Sequence, residues 1–169
     1  MSISMHDFLI PVLTRGLTTM SAILDKAAAQ AAAKKFDCAV LAQARLFPDM
    51  YPLVRQVQIA CDTAKGAAAR LGGIEVPRHE DTEATFAELK ARIAKTLDIV
   101  QSVSAAQLKD AESRAIEIKF PNGSWKFTGI GYLTDFVLPN FYFHVSMVYA
   151  LLRKNGIEIG KSDFLGDIQ

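Results

Sequence analysis

The sequence is poor in several residue types, and this excludes whole classes of function. It has two cysteines, Cys38 and Cys61, each in an apolar context and without a C-x-x-C pattern. We therefore expect two reduced thiols rather than a disulfide framework, with a catalytic or metal-bound thiol as the alternative. With three histidines in the whole chain, a three-histidine metal site would need all of them.

The sequence also lacks an excess of charge of either sign. Nineteen basic residues face 18 acidic ones, for a net charge of +1 at pH 7, so there is no electrostatic footprint for nucleic acid. The N-terminus has no basic stretch and carries Asp7 where a signal peptide would not, and no apolar run approaches the length of a membrane span. We expect a cytoplasmic protein without nucleic-acid or membrane partners.

Helical patterns dominate what the sequence does contain. At 169 residues the chain fits one domain, which we assign to residues 1–169. Ser4 followed by Asp7 predicts the start of a helix that runs to Lys34. After a connector, apolar residues at alternating steps of three and four predict a second helix, which begins after Pro52 and ends at Gly72.

The second half of the chain predicts a third helix, a hairpin and a fourth helix. Thr82 is expected to cap the third helix. Two alternating segments, Ala115–Phe120 and Ser124–Phe127, flank a turn with an Asn-Gly pair, which is typical of a β-hairpin. The fourth helix is expected over Thr128–Asn155 with a kink at Pro139, and an extended tail should follow, held to the bundle by Phe164 and Leu165. The predicted fold is therefore an all-α four-helix bundle with a small hairpin between helices three and four.

A polar pair on the fourth helix is the strongest pointer to a site. Asn140 and His144 are four residues apart, so they share one face of a helix whose other faces are mostly apolar. Burying such a pair costs free energy unless a hydrogen-bond network, a metal or a ligand satisfies it.

The order of elements and three stretches of sequence resemble the DinB/YfiT-like superfamily of metalloenzymes, in particular a branch known as a domain of unknown function. The stretches are Tyr51–Lys65, Ile116–Phe127 and Pro139–Gly166. This resemblance implies an up-down-down-up bundle, often a homodimer. It also implies a divalent metal held by one histidine on helix two and an H-x-x-x-H pair on helix four.

The chain departs from the family's metal pattern at two of three positions. His144 matches the second histidine of the pair, Asn140 replaces the first, and Gln58 takes the place of the histidine on helix two. If helices two and four face each other, Gln58, Asp62, Asn140 and His144 are expected to converge. Such a set would bind a divalent ion such as zinc, nickel or manganese less tightly than three imidazoles, and a metal-free network that satisfies the same side chains is the alternative.

Two functional hypotheses follow from the sequence. The first is a degenerate metal-dependent enzyme with a small pocket around His144, in which Trp125 on the hairpin lies over a ligand. His144 would serve there as a ligand or a general base, unless it is purely structural. The second is a non-enzymatic, dimeric bundle that binds a small apolar ligand or a protein partner, since the fourth helix is apolar on nearly every side.

Overall fold

The computed structural model describes residues 3–167, and within them long helices pack around one hydrophobic core. The helices and strands follow in chain order: α1 (Met5–Ala33), α2 (Ala39–Ala42), α3 (Leu53–Gly72), α4 (Phe86–Ser102), β1 (Ala115–Phe120), β2 (Gly123–Thr128), α5 (Gly129–Gly131), a π-helical segment (Tyr132–Val137), α6 (Leu138–Lys154) and α7 (Lys161–Leu165). The predicted helical bundle with a hairpin is confirmed.

The four long helices α1, α3, α4 and α6 run up, down, down and up. Helix α3 packs against both α4 and α6. Asp62 of α3 pairs with Arg92 of α4, and Gly72 at the end of α3 approaches Val103 just after α4, so these two helices are parallel. The connection between them, residues 73–85, must therefore run back along the bundle, which explains its length.

The hairpin and the last helix form one continuous unit. Strands β1 and β2 are antiparallel, with Phe120 opposite Gly123, so that Pro121 and Asn122 make the two-residue turn. The chain then enters α5, and six residues of π-helix precede α6. Pro139 stands at the beginning of α6; because it has no N–H and its ring crowds the carbonyl four residues earlier, a widened turn just before it lets the helix continue.

The structure corrects the predicted start of the third helix. Thr85 rather than Thr82 caps α4: its hydroxyl accepts from the backbone N–H of Glu88, and the Glu88 carboxylate accepts from the Thr85 N–H. This reciprocal cap needs an acidic side chain three residues on, which Thr82 lacks.

The C-terminal tail also differs from its prediction. It contains the short helix α7 instead of a purely extended chain. Phe164 packs edge-on against Tyr149 at 5.8 Å between ring centroids, as expected, whereas Leu165 is 38% exposed and does not hold the tail to the core.

Helix α1 is, by length and composition alone, apolar enough to cross a membrane, contrary to the expectation that no segment is. Its apolar residues Leu9, Leu13, Leu17 and Leu24 are fully buried within the bundle. These leucines belong to the core of the bundle. A cytoplasmic location stays a prediction of the sequence.

Candidate functional site

His144 lies in the interface between α6 and α3, 7% exposed. Its Nδ1 is 2.6 Å from Oε1 of Gln56, whose amide nitrogen donates to the backbone carbonyl of Tyr51 at 3.0 Å. Because Gln56 offers its oxygen, the imidazole donates from Nδ1, and the Nε2 lone pair is left for another partner.

Burial lowers the pKa of His144 from 6.5 to about 4, and the nearby positive charge of Arg55 acts in the same direction. The imidazole is therefore neutral at pH 7. A group with so low a pKa is a weak general base at neutral pH, because the free base has little affinity for a proton.

Two further polar bridges connect α3 with α6 and with the π-helical segment that precedes it. Asn140 donates to the Thr63 hydroxyl at 2.7 Å, and Arg70 donates to the Tyr132 hydroxyl at 3.0 Å. The three partners on α3, namely Gln56, Thr63 and Arg70, are spaced by seven residues, so they occupy one face of the helix. This polar ladder fixes the register of α3 against the last helix.

Gln58 and Asp62 belong to a different cluster, centred on Arg92 between α3, α4 and the 73–85 connection. The Asp62 carboxylate accepts from Arg92 Nη2 at 2.9 Å and pairs with the buried Lys65 at 3.0 Å. Gln58 donates to Glu83 at 2.9 Å, and Glu83 in turn accepts from Arg92 at 3.1 Å. These bonds tie the connection to the bundle.

Arg92 is the hub of this ion-pair network. Its side chain is only 2% exposed, and it also pairs with Asp81 at 3.0 Å and donates to the Glu80 carbonyl at 2.9 Å. Burial on its own would raise the pKa of Glu83, but hydrogen bonds from Gln58 and Arg92 outweigh it and lower that pKa. The network therefore keeps the Glu83 carboxylate ionised beside the buried guanidinium of Arg92.

The four residues expected to converge are thus divided between two clusters. Asn140 and His144 face Thr63 and Gln56, whereas Gln58 and Asp62 face the Arg92 network. Between positions 3 and 167, no group of three or more His, Cys, Asp or Glu side chains is arranged to hold a metal ion. The ligand set of Gln58, Asn140 and His144 does not fit a shared metal, because the amides of Gln58 and Asn140 bond elsewhere.

Trp125 lies on the hairpin, 51% exposed, in an aromatic cluster rather than over His144. Its ring is 5.2 Å from that of Phe120 and 5.8 Å from that of Phe136. Phe136 stacks on Tyr132 of the π-helical segment at 5.8 Å. The cluster attaches the hairpin to the start of the last helix.

The Cys61 thiol is inert in this fold. The side chain is fully buried, and burial raises its pKa to about 12, so the thiol stays protonated at neutral pH. A catalytic role for this residue is therefore disfavoured, in line with the reduced thiol expected from the sequence.

An apolar opening lies at the end of the bundle where α1 begins. This end groove, of about 710 Å³, is formed by the first turn of α1, the turns after α4 and the start of the last helix. Its apolar lining consists of Ile3, Met5, Phe8, Ala105, Ala106, Leu108, Ile130, Leu133 and Leu138. Polar residues on its rim are Ser4, His6, Lys109, Asp110, Glu112 and Thr134.

Two other grooves are more polar. One, of about 540 Å³, lies over the Arg92 network, and another, of about 710 Å³, lies between α1 and α7. His144 lines none of these three openings.

Sequence reasoning missed the residues that partner the predicted site. The spacing of seven from Gln56 to Thr63 to Arg70 was a readable signal, since polar residues at that spacing share one face of the helix and need partners on one neighbour when that face is buried. The end groove had no such signal, because its walls come from three separated segments.

Comparison with known proteins agrees with the fold. A family model described as a domain of unknown function, DUF1993, matches residues 5–165. Among solved structures, a DinB family member protein from Shewanella denitrificans is 42% identical with a TM-score of 0.89, over 96% of this chain and 92% of that one. A search of curated proteins found no match.

Proposed function

The chain belongs to the DUF1993 family, a domain of unknown function, and from this premise we propose that it is a DinB-like bundle that binds a small apolar molecule in the end groove. The observation that carries the proposal is the groove itself. Its volume of about 710 Å³ is in the range of small-molecule pockets, and most of its lining side chains are apolar.

The wall of the groove that faces α1 supports this proposal. Leu133 and Thr134 belong to the π-helical segment, and Leu138 follows it directly. Single π-helical turns inside α-helices occur frequently at functional sites, because they cost stability and are retained where they shape a surface. Here the wide turn places these side chains in the groove.

We favour ligand binding in the end groove over a metal-dependent reaction at His144. A metal enzyme would need further ligands around the imidazole, and the side chains that the family pattern puts there are Asn140, bonded to Thr63, and Gln58, bonded to Glu83. A neutral imidazole bonded to Gln56 suits a structural role in the polar ladder.

A fluorescent apolar probe tests the proposal. We expect one N-phenyl-1-naphthylamine molecule to bind per chain, saturably. Replacing Ala106, on the lining, by Phe should weaken binding by about tenfold. The added ring fills part of the groove, so the ligand buries less of its apolar surface there. The matched control is Ala29→Phe, an exposed alanine at the other end of α1, which should bind the probe like the native chain. Absence of saturable binding, or equal weakening in both variants, would contradict the proposal.

We also propose that the chain forms a homodimer through the exposed face of α6. Tyr142 and Phe143 are 40% and 51% exposed there, a large apolar area for the free surface of one helix. Sedimentation velocity at micromolar concentration should give a dimer, which Phe143→Asp should dissociate. A native chain that sediments as a monomer would remove this part of the proposal.

A further inference from the structure

We propose that the end groove prefers a positively charged amphipathic molecule, an amine joined to an apolar body, over an anionic one of the same size. This inference rests on the proposed function, since it names the chemistry of the ligand that the same groove takes.

The charges on the rim of the groove carry the inference. Two carboxylates, Asp110 and Glu112, line the groove against the single ammonium of Lys109. Asp7 does not line the groove, but its carboxylate lies 3.5 Å from the lining residue His6, and its hydrogen bond with Ser4 lowers its pKa, so that it stays ionised and offsets the positive end of α1. A cation bound in the groove therefore meets more opposite than like charge.

The positive end of α1 does not reverse this balance. The N-terminal end of a helix attracts anions through its free N–H groups. Here the Ser4 hydroxyl already accepts from the Asp7 N–H at 3.1 Å, and the Asp7 carboxylate supplies a negative charge in the first turn. The Asp7 carboxylate is thus the anion that stabilises the N-terminal end of α1.

Asp110 is held in place by its backbone. It has φ 56° and ψ 20°, in the left-handed region, where it leads into the 3₁₀ turn Ala111–Ser113. In residues 3–167 its carboxylate and that of Glu112 form neither a hydrogen bond nor an ion pair within the usual distances. Both charges are therefore available to a ligand that lies on the apolar floor.

Competition against the neutral probe tests the charge preference. 1-Naphthylmethylamine, a cation at pH 7, should displace N-phenyl-1-naphthylamine at about fivefold lower concentration than 1-naphthoic acid, an anion of similar size. The difference should shrink as salt is raised, because the rim is exposed to solvent.

A matched pair of variants assigns the preference to the rim. Asp110→Asn removes the charge but keeps a residue that tolerates the left-handed backbone, so the fold is retained. It should reduce the preference for the amine, as should Glu112→Gln. Asp98→Asn, on the exposed face of α4, should leave it unchanged.

The outcomes separate this inference from the proposed function. If the neutral probe binds and the acid competes as well as the amine, the charge inference is overturned while the binding function stands. The same holds if Asp98→Asn changes the preference as much as Asp110→Asn does. If the neutral probe does not bind the full chain, both fail together.

Discussion

Replacing Arg92 by methionine is expected to lower the free energy of unfolding by about 3–5 kcal/mol, because it removes the common partner of several carboxylates from a buried position. Asp62, Asp81 and Glu83 all lie within 3.1 Å of the guanidinium, and the side chain is 2% exposed. Without it, like charges face one another and the 73–85 connection loses its anchor on α4. Urea denaturation followed by circular dichroism measures the change.

The matched control is Lys95→Met, a change of a cation on the same helix that is exposed and outside the network. It should alter stability by less than about 0.5 kcal/mol, as most surface substitutions do. Arg92→Met combined with Glu83→Gln should recover part of the loss, since one unpaired carboxylate is removed. A loss below about 1 kcal/mol for Arg92→Met would mean that the network does not hold the connection.

Lowering the pH from 6.5 to about 4 should cost the native chain up to about 3 kcal/mol of stability through His144 alone. The unfolded chain binds a proton on this imidazole near pH 6.5, whereas the folded chain resists protonation until about pH 4. Between these values the unfolded state holds more protons, so stability falls as the pH falls. Above pH 6.5 the contribution is fully present, and below about pH 4 this group causes no further loss.

The difference between the native chain and His144→Gln isolates this effect from the carboxylates that titrate in the same range. The variant should be less stable than the native chain at pH 7, and the gap should narrow towards pH 4. His79→Gln is the comparison, because burial also lowers the pKa of His79, so this variant shows how much narrowing a second histidine of lowered pKa produces. A stability gap that stays constant between pH 7 and pH 4 for His144→Gln would contradict the burial of His144.

The helices were predictable because their signals are local. The capping pair Ser4 and Asp7, the Gly72-Gly73 stop and the alternation around the hairpin turn each lie within a few residues of the feature that they determine. The misassigned cap at Thr82 shows the limit of such reasoning: Thr82 and Thr85 are equivalent by residue type, and only the carboxylate of Glu88 distinguishes them.

The candidate site was harder to predict, because it depends on the register between distant helices. Gln58 and Gln56 are two residues apart, so they point to nearly opposite sides of α3, and the family pattern favoured Gln58. The structure pairs His144 with Gln56 instead. A match to the family pattern identifies which position in the sequence corresponds to a metal ligand. It does not show which partner a different residue at that position contacts, because that depends on the chemistry of its side chain and on the face of the helix that it occupies.

The last helix posed a further difficulty. The sequence predicts a kink at Pro139, whereas the distortion is a π-helical segment over the six residues before α6. A π-helical turn has no residue signature of its own, and here its aromatic side chains Tyr132 and Phe136 pack against Trp125 and Phe127 of the hairpin, which are distant in sequence from the proline. This turn forms one wall of the end groove and two distant segments form the others, so the groove could not be predicted from the sequence.

Methyl NMR of the Ile, Leu and Val side chains during titration with N-phenyl-1-naphthylamine tests most directly where this bundle binds a ligand. We predict saturable shifts centred on the methyl groups of Leu108, Ile130, Leu133 and Leu138, with those of Val145 and Val148 beside His144 unchanged. Shifts centred on Val145 and Val148, with no shifts for the methyl groups of the groove, would contradict binding in the end groove and would indicate a functional site at His144.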